Sequence, residues 1–177
     1  MSRIGIRMIL GQYLALRDPP AGPDYVGLVS VRTSPAEIAM AAIEDAKYMC
    51  VRQHGDAPEV TLHGRLDLHF MYVPSHIHYI LLELLKNSMR ATMEYHGHST
   101  KIPPIRVIIA DGEANEDVVI KISDEGGGIP RSHMHRIWSY LFTTADPAVV
   151  ESLASTDIGD FDTASPLAGL GYGLPLS

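Results

Sequence analysis

Apolar positions recur along the chain at two periods, and the switches between them predict its elements. Near the start, Ile4, Met8, Leu10, Tyr13 and Leu14 form a stripe close to helical spacing. Asp18 to Gly27 then holds three prolines and two glycines in ten residues, which ends that helix and forms a linker. Val26 to Val31 reads as a short strand, and Ser34-Pro35-Ala36-Glu37 as a capping box with proline at the first helical position. The helix it opens runs to about Gln53, with Ile38, Ala42, Ala46 and Met49 spaced to lie on a sheet, and His54-Gly55-Asp56 ends it. Glu59 to Leu62 and Leu68 to Val73 are strand candidates across the polar turn His63-Gly64-Arg65, which predicts a hairpin. Pro74 and Ser75 open a longer helix to about Tyr95. Ile105 to Ala110 and Asp117 to Ser123 make a strand pair joined by the acidic turn Asp111 to Glu116, with Val118, Ile120 and Ile122 on one face. A short helix is expected at Ser132 to Tyr140. From Ala145 to Leu170 periodicity gives way to Asp, Ser, Thr, Ala and Gly, a stretch longer than connections of about 4 to 6 residues and in keeping with a lid or disorder. Strands followed by helices on one side of a mixed sheet give a two-layer α/β sandwich.

Composition narrows this picture. The 177 residues fit one domain plus an appendage: residues 1–17 as the last helix of an upstream domain, 18–27 as linker and 28–177 as the main domain. A net charge of −7 leaves no general basic surface for nucleic acid, and no apolar run approaches the roughly 20 residues of a membrane span. Cys50 is the single cysteine, which excludes intramolecular disulfides, thiolate zinc sites and CxxC redox pairs and fits a reducing compartment. Arg3, Arg7 and Arg17 without an acid offer a transit-segment reading of the first helix. The apolar stripe favours the end of an upstream helical domain instead, and Met-Ser-Arg opening such a helix suggests truncation.

Chemistry concentrates in three places. On the second helix Glu83, Asn87 and Arg90 project from one stripe, with Lys86 beside it. A carboxylate, a carboxamide oxygen and two cations suit a magnesium triphosphate: a base or water orienter, a hard-metal ligand and phosphate donors. The plain alternative is a solvated helix face with a bond between Glu83 and Asn87. Asp124-Glu125-Gly126-Gly127-Gly128-Ile129-Pro130 follows a strand, and its glycines suit a turn that approaches something closely. There Asp124 can accept the exocyclic amine of adenine, against the plain alternative of a solvated surface turn. Gly169-Leu170-Gly171-Tyr172-Gly173-Leu174-Pro175 presents alternate glycines ahead of a helix start, where free amides can bind phosphate or simply form a hinge. It is neither a P-loop nor a dinucleotide fingerprint.

Together Glu-x-x-Lys-Asn, Asp-x-Gly-x-Gly and a lid ending in Gly-x-Gly-x-Gly resemble the N, G1 and G2 boxes of the GHKL superfamily of ATPases and kinases. The strings Glu83 to Thr92, Ile122 to Gly128 and Gly171 to Pro175 resemble the mitochondrial 2-oxoacid dehydrogenase kinases, and Arg3 to Met8 is similar to the end of that family's amino-terminal helical bundle. The resemblance implies a Bergerat-type ATP-binding fold whose carboxyl-terminal strands are missing from this chain. It also implies a protein serine kinase that moves the γ-phosphoryl group of ATP, with Mg2+, to a serine of a decarboxylating (E1) subunit, either pyruvate or branched-chain. Glu83 would be the general base or the orienter of the serine hydroxyl and part of the ATP site, Asn87 the magnesium ligand, Lys86 and Arg90 phosphate contacts, and Asp124 with Gly126 and Gly128 the adenine end. Thr143 and Thr144 match a Ser/Thr-Thr pair beside the nucleotide, and Gly169, Leu170, Gly171, Tyr172, Gly173 and Leu174 would wrap the phosphates. Implied as well are a mitochondrial matrix location, docking on lipoyl domains through a mostly absent bundle, and a homodimer at full length. Tyr79 stands where the pyruvate enzymes carry a histidine and matches the branched-chain enzymes, whereas Gly171-Tyr172-Gly173 leans toward the pyruvate enzymes.

Two other readings belong to different classes: the ATP domain of a two-component histidine kinase, and a truncated, non-catalytic ATP-binding module. The first is disfavoured because the helical segment ahead of the ATP domain offers no phosphoacceptor histidine. The pairs His76 and His78, and His133 and His135, point about 200° apart on regular helices and cannot chelate a metal there. Trp138 and Tyr140 read as core or lid packing, and Asp111 to Asp117 as a solvated turn.

Overall fold

The structure is a computed structural model that describes residues 2–97, 101–112, 117–143 and 171–177. Four helices are present among them, α1 (Ser2–Ala15), α2 (Pro35–His54), α3 (Pro74–His96) and α4 (Gly173–Leu176), with six strands, β1 (Tyr25–Val26), β2 (Val29–Thr33), β3 (Val60–Gly64), β4 (Phe70–Tyr72), β5 (Ile105–Asp111) and β6 (Val118–Ser123). They form a two-layer α/β arrangement with two three-stranded sheets, ordered β1-β2-β4 and β3-β5-β6. The lid stretch read from Ala145 to Leu170, with His98 and the middle of the acidic turn, lies outside the described residues.

The capping signals act locally as read. Ser34 Oγ accepts the Glu37 N–H at 3.3 Å, Pro35 takes the first turn of α2, and Gly55 closes the helix in the left-handed region. The buried stripe of α2 is Ala39, Ala42, Ile43, Ala46 and Cys50, one position round from the one expected, with Ile38 and Met49 at its border. Small side chains at four of these five positions allow close approach to α3, which answers with Ile77, Leu81, Leu85 and Met89. Beneath them lie Ile105 and Val107 of β5, with Ile120 and Ile122 of β6 partly buried. Val119 on the opposite face of β6 is exposed, as the strand alternation requires.

Three local expectations fail. The hairpin between β3 and β4 does not form: β3 pairs in parallel with β5, from Val60↔Ile105 to Gly64↔Ile109, while β4 pairs antiparallel with β2. The cause is at Gly64, whose missing Cβ leaves room for the Ile109 carbonyl, which in turn accepts the Arg65 N–H at 2.9 Å. Val26 to Val31 is two strands rather than one. The Gln12 side chain of α1 makes the turn by donating to the Val26 carbonyl at 3.1 Å and accepting from the Leu28 N–H at 2.8 Å. Residues 131–140 form successive turns rather than a helix, with bonds mostly of the i to i+3 kind such as Arg136 N–H to the His133 carbonyl at 2.8 Å. Trp138 is 63% exposed and is not core.

Candidate functional site

The long helix α3 carries one wall of a cavity of about 970 Å³, and the turn after β6 carries another. Leu84, Asn87, Ser88, Ala91 and Tyr95 face it at steps of three and four residues, with Glu83 and Arg90 on the flanks of the same stripe. Asp124, Gly126 and Gly128 face it from the β6 turn, and Thr143 from the end of the turn segment. Gly171, Gly173 and Leu174 close a further side. Residues from motifs far apart in sequence therefore share one space.

Lys86 and Tyr172 are not on its wall. Lys86 Nζ instead donates to Glu83 Oε1 at 2.9 Å, one turn along the helix. Tyr172 packs its ring against Tyr140, centroid to centroid 5.9 Å. Thr144, Gly169 and Leu170 lie outside the described residues.

Close approach explains the glycines. A Cβ on Gly126 would sit 2.6 Å from the Ala91 Cβ and 2.7 Å from the Ala91 carbonyl carbon, so only glycine lets the β6 turn lie on α3. A Cβ on Gly173 would strike the Glu83 carboxylate, so the start of α4 covers that side chain. The Gly171 carbonyl accepts the N–H of Leu141 at 3.1 Å, which ties the third motif to the turn segment. Leu141 itself sits at φ 66, a left-handed conformation that costs a bulky residue roughly 1–3 kcal/mol.

Polar contacts orient the site. Ser88 Oγ donates to Asp124 Oδ2 at 2.8 Å, and the Gly126 N–H donates to Asp124 Oδ1 at 3.0 Å. His96 Nε2 lies 2.9 Å from the Glu125 carbonyl and anchors the turn to the end of α3. Arg90 Nε is 3.9 Å from Glu94 Oε1. Burial, and then the Glu83 charge, push the Tyr79 phenol above its ordinary pKa. Ser88, Glu94, Tyr95 and Phe142 were not singled out from sequence. The repeat of Leu84, Ser88, Ala91 and Tyr95 was the available signal for the first and third of these.

The model of histidine kinase-, DNA gyrase B- and HSP90-like ATPases matches residues 72–177, more than half of the chain. The chain belongs to this ATPase family. All of its motifs at the cavity fall inside the matched span. Over its whole length the chain is 48% identical to a mitochondrial pyruvate dehydrogenase (acetyl-transferring) kinase of Schizosaccharomyces pombe, covering 41% of that protein. It is 47% identical to the protein of the same name from Arabidopsis thaliana, covering 47% of it, and 38% identical to that from Drosophila melanogaster, covering 43%. The chain thus spans less than half the length of these relatives. An ATPase of this family binds ATP, and the cavity brings together a carboxylate held by two donors, a carboxamide on the same helix stripe and glycine-lined backbone. Among the described residues no helix is long and apolar enough to cross a membrane.

Proposed function

We propose that the chain is the nucleotide-binding part of a mitochondrial protein serine kinase that transfers the γ-phosphoryl group of ATP to the decarboxylating subunit of pyruvate dehydrogenase and so inactivates it. The observation that carries this reading is the convergence of Glu83, Asn87 and Asp124 on one cavity covered by Gly173. The names of the relatives support the reaction and favour pyruvate over branched-chain dehydrogenase as substrate. They favour it too over a two-component histidine kinase.

Asp124 accepts the exocyclic amine of adenine in this reading, with Gly126 and Gly128 admitting the flat ring. The family resemblance implies that Thr143 and Thr144 stand beside the nucleotide and that Gly169, Leu170, Gly171, Tyr172, Gly173 and Leu174 follow the phosphates. Asn87 would hold Mg2+ through its side-chain oxygen, since this ion commonly keeps few protein ligands, and when bound the ion would supply charge neutralisation at the phosphates. Glu83 orients the serine hydroxyl and takes its proton, Lys86 holds Glu83 from outside the cavity wall, and Arg90 brings positive charge near the phosphates. A matrix location accords with the relatives' names, and lipoyl-domain docking and a homodimer follow from the family resemblance.

The test is to mix full-length protein with γ-labelled ATP and either dehydrogenase complex. Acid-stable phosphoserine on the pyruvate complex is expected. Label on acid-labile phosphohistidine would favour the two-component reading, and no label on either complex would remove the kinase reading.

A further inference from the structure

We infer that Ser88 sets the purine preference of the pocket, by holding the Asp124 carboxylate as a fixed acceptor that takes a base with an amino group at position 6 and rejects one with a carbonyl there. The inference rests on the placement of the base at Asp124 given above and goes beyond it to a residue that need not touch the nucleotide.

Ser88 is 8% exposed and lies one residue past Asn87, on the part of α3 that faces the β6 turn. Its hydroxyl donates to Oδ2 of Asp124 at 2.8 Å, while the Gly126 N–H donates to Oδ1 at 3.0 Å. One donor on each oxygen fixes the torsion of the carboxylate, and the remaining lone pairs keep a set direction toward the cavity. The Ser88 carbonyl accepts the Thr92 hydroxyl at 2.8 Å, which steadies the helix at this point. Asp124 is otherwise exposed, so without Ser88 its carboxylate would have one tether and freedom to turn.

Selectivity follows from the chemistry of the two purine edges. An ionised carboxylate only accepts hydrogen bonds. A 6-amino purine offers a donor to it at position 6, whereas a 6-oxo purine sets an oxygen against an oxygen there and carries its N–H on the neighbouring N1, which the carboxylate meets only by turning. A mobile carboxylate escapes that clash by rotating away or admitting a water; one held by two donors loses a hydrogen bond in doing so. Rejection of the wrong partner through an acceptor that cannot move is a strong source of discrimination.

The experiment measures binding of ATP and inosine triphosphate, which differ in the group at position 6 and in the proton on N1, to the full-length protein and to Ser88→Ala. Wild type is expected to prefer ATP by about 100-fold or more, and Ser88→Ala to lose about tenfold of that ratio, mainly through weaker ATP binding with inosine triphosphate unchanged or improved. Ser88→Thr keeps the hydroxyl and is expected to keep the ratio. If Ser88→Ala does not fold, Ser88→Cys, close in size and a weak donor, is read in its place with the same direction of change. A ratio unchanged in the alanine or cysteine variant, including a uniform weakening of both nucleotides, overturns the inference while leaving the kinase reading standing. Wild type that binds neither nucleotide overturns both.

Discussion

Lys86 Nζ stands 2.9 Å from Glu83 Oε1 across one turn of α3, and the two side chains are only 14% and 15% exposed. In so sheltered a place desolvation offsets much of the attraction, but loss of one partner leaves a mostly buried charge uncompensated. Lys86→Met is expected to lower unfolding stability by about 1–2 kcal/mol. Adding Glu83→Gln should recover part of that loss. A denaturant double-mutant cycle checks it, and a coupling energy near zero would show that the two groups act independently.

Glu83→Gln is also the cleanest probe of the reaction. It keeps size but removes the proposed base, so phosphoryl transfer should fall by roughly 10²–10⁴-fold while ATP affinity stays within about threefold. Steady-state kinetics beside direct binding separate the two. Undiminished transfer would assign the proton to another group, and ATP binding lost together with transfer would make Glu83 part of the pocket instead.

Gly126→Ala and Gly173→Ala add one methyl each at points of closest approach. The first pushes the β6 turn off the Ala91 backbone and the second drives α4 into the Glu83 carboxylate. Gly126→Ala should cost about 1–3 kcal/mol of stability, because the α3 backbone cannot give way, and should weaken ATP binding. Gly173→Ala should leave stability nearly unchanged, since α4 is short and peripheral, but reduce transfer. Thermal unfolding and activity measured side by side distinguish these outcomes.

The helical half of the fold was legible because its signals are local. Ser34, Pro35 and Gly55 bound α2 from within the helix and its ends, and the period of α3 put Glu83, Asn87 and Arg90 on one flank. Sheet order was not, since it depends on contacts between distant strands: the turn at His63-Gly64-Arg65 looks like a hairpin, yet Gly64 serves the Ile109 carbonyl of a strand far along the chain. The turns at 131–140 carry apolar and polar residues at helix-compatible spacing but lack a face to bury, and Trp138 remains exposed. At the site, glycine spacing announced a close approach without saying to what. The answers, Ala91 for Gly126 and Glu83 for Gly173, needed the fold, as did the engagement of Lys86 with Glu83.

Cys50 provides a pH signature of the core. Burial, reinforced by the Asp56 charge, raises its thiol from 9.0 to about 11. The unfolded chain therefore loses this proton first, and the thiol's contribution to stability, intact below pH 9, declines as pH rises toward 11. Urea midpoints of wild type and Cys50→Ala at pH 8 and 10 isolate it from other groups that titrate in both. The wild type should lose more stability than the variant over this interval, and parallel losses would contradict the assignment.

The central claim is that three stretches remote in sequence build a single nucleotide site. Calorimetric titration of full-length protein with ATP and Mg2+ tests it most directly, on wild type, Asn87→Ala and Asp124→Ala. One saturable site per chain is predicted, weakened by either substitution, with Asn87→Ala alone abolishing the gain in affinity that Mg2+ confers. No saturable heat in the wild type, or two variants that bind as the wild type does, would contradict it.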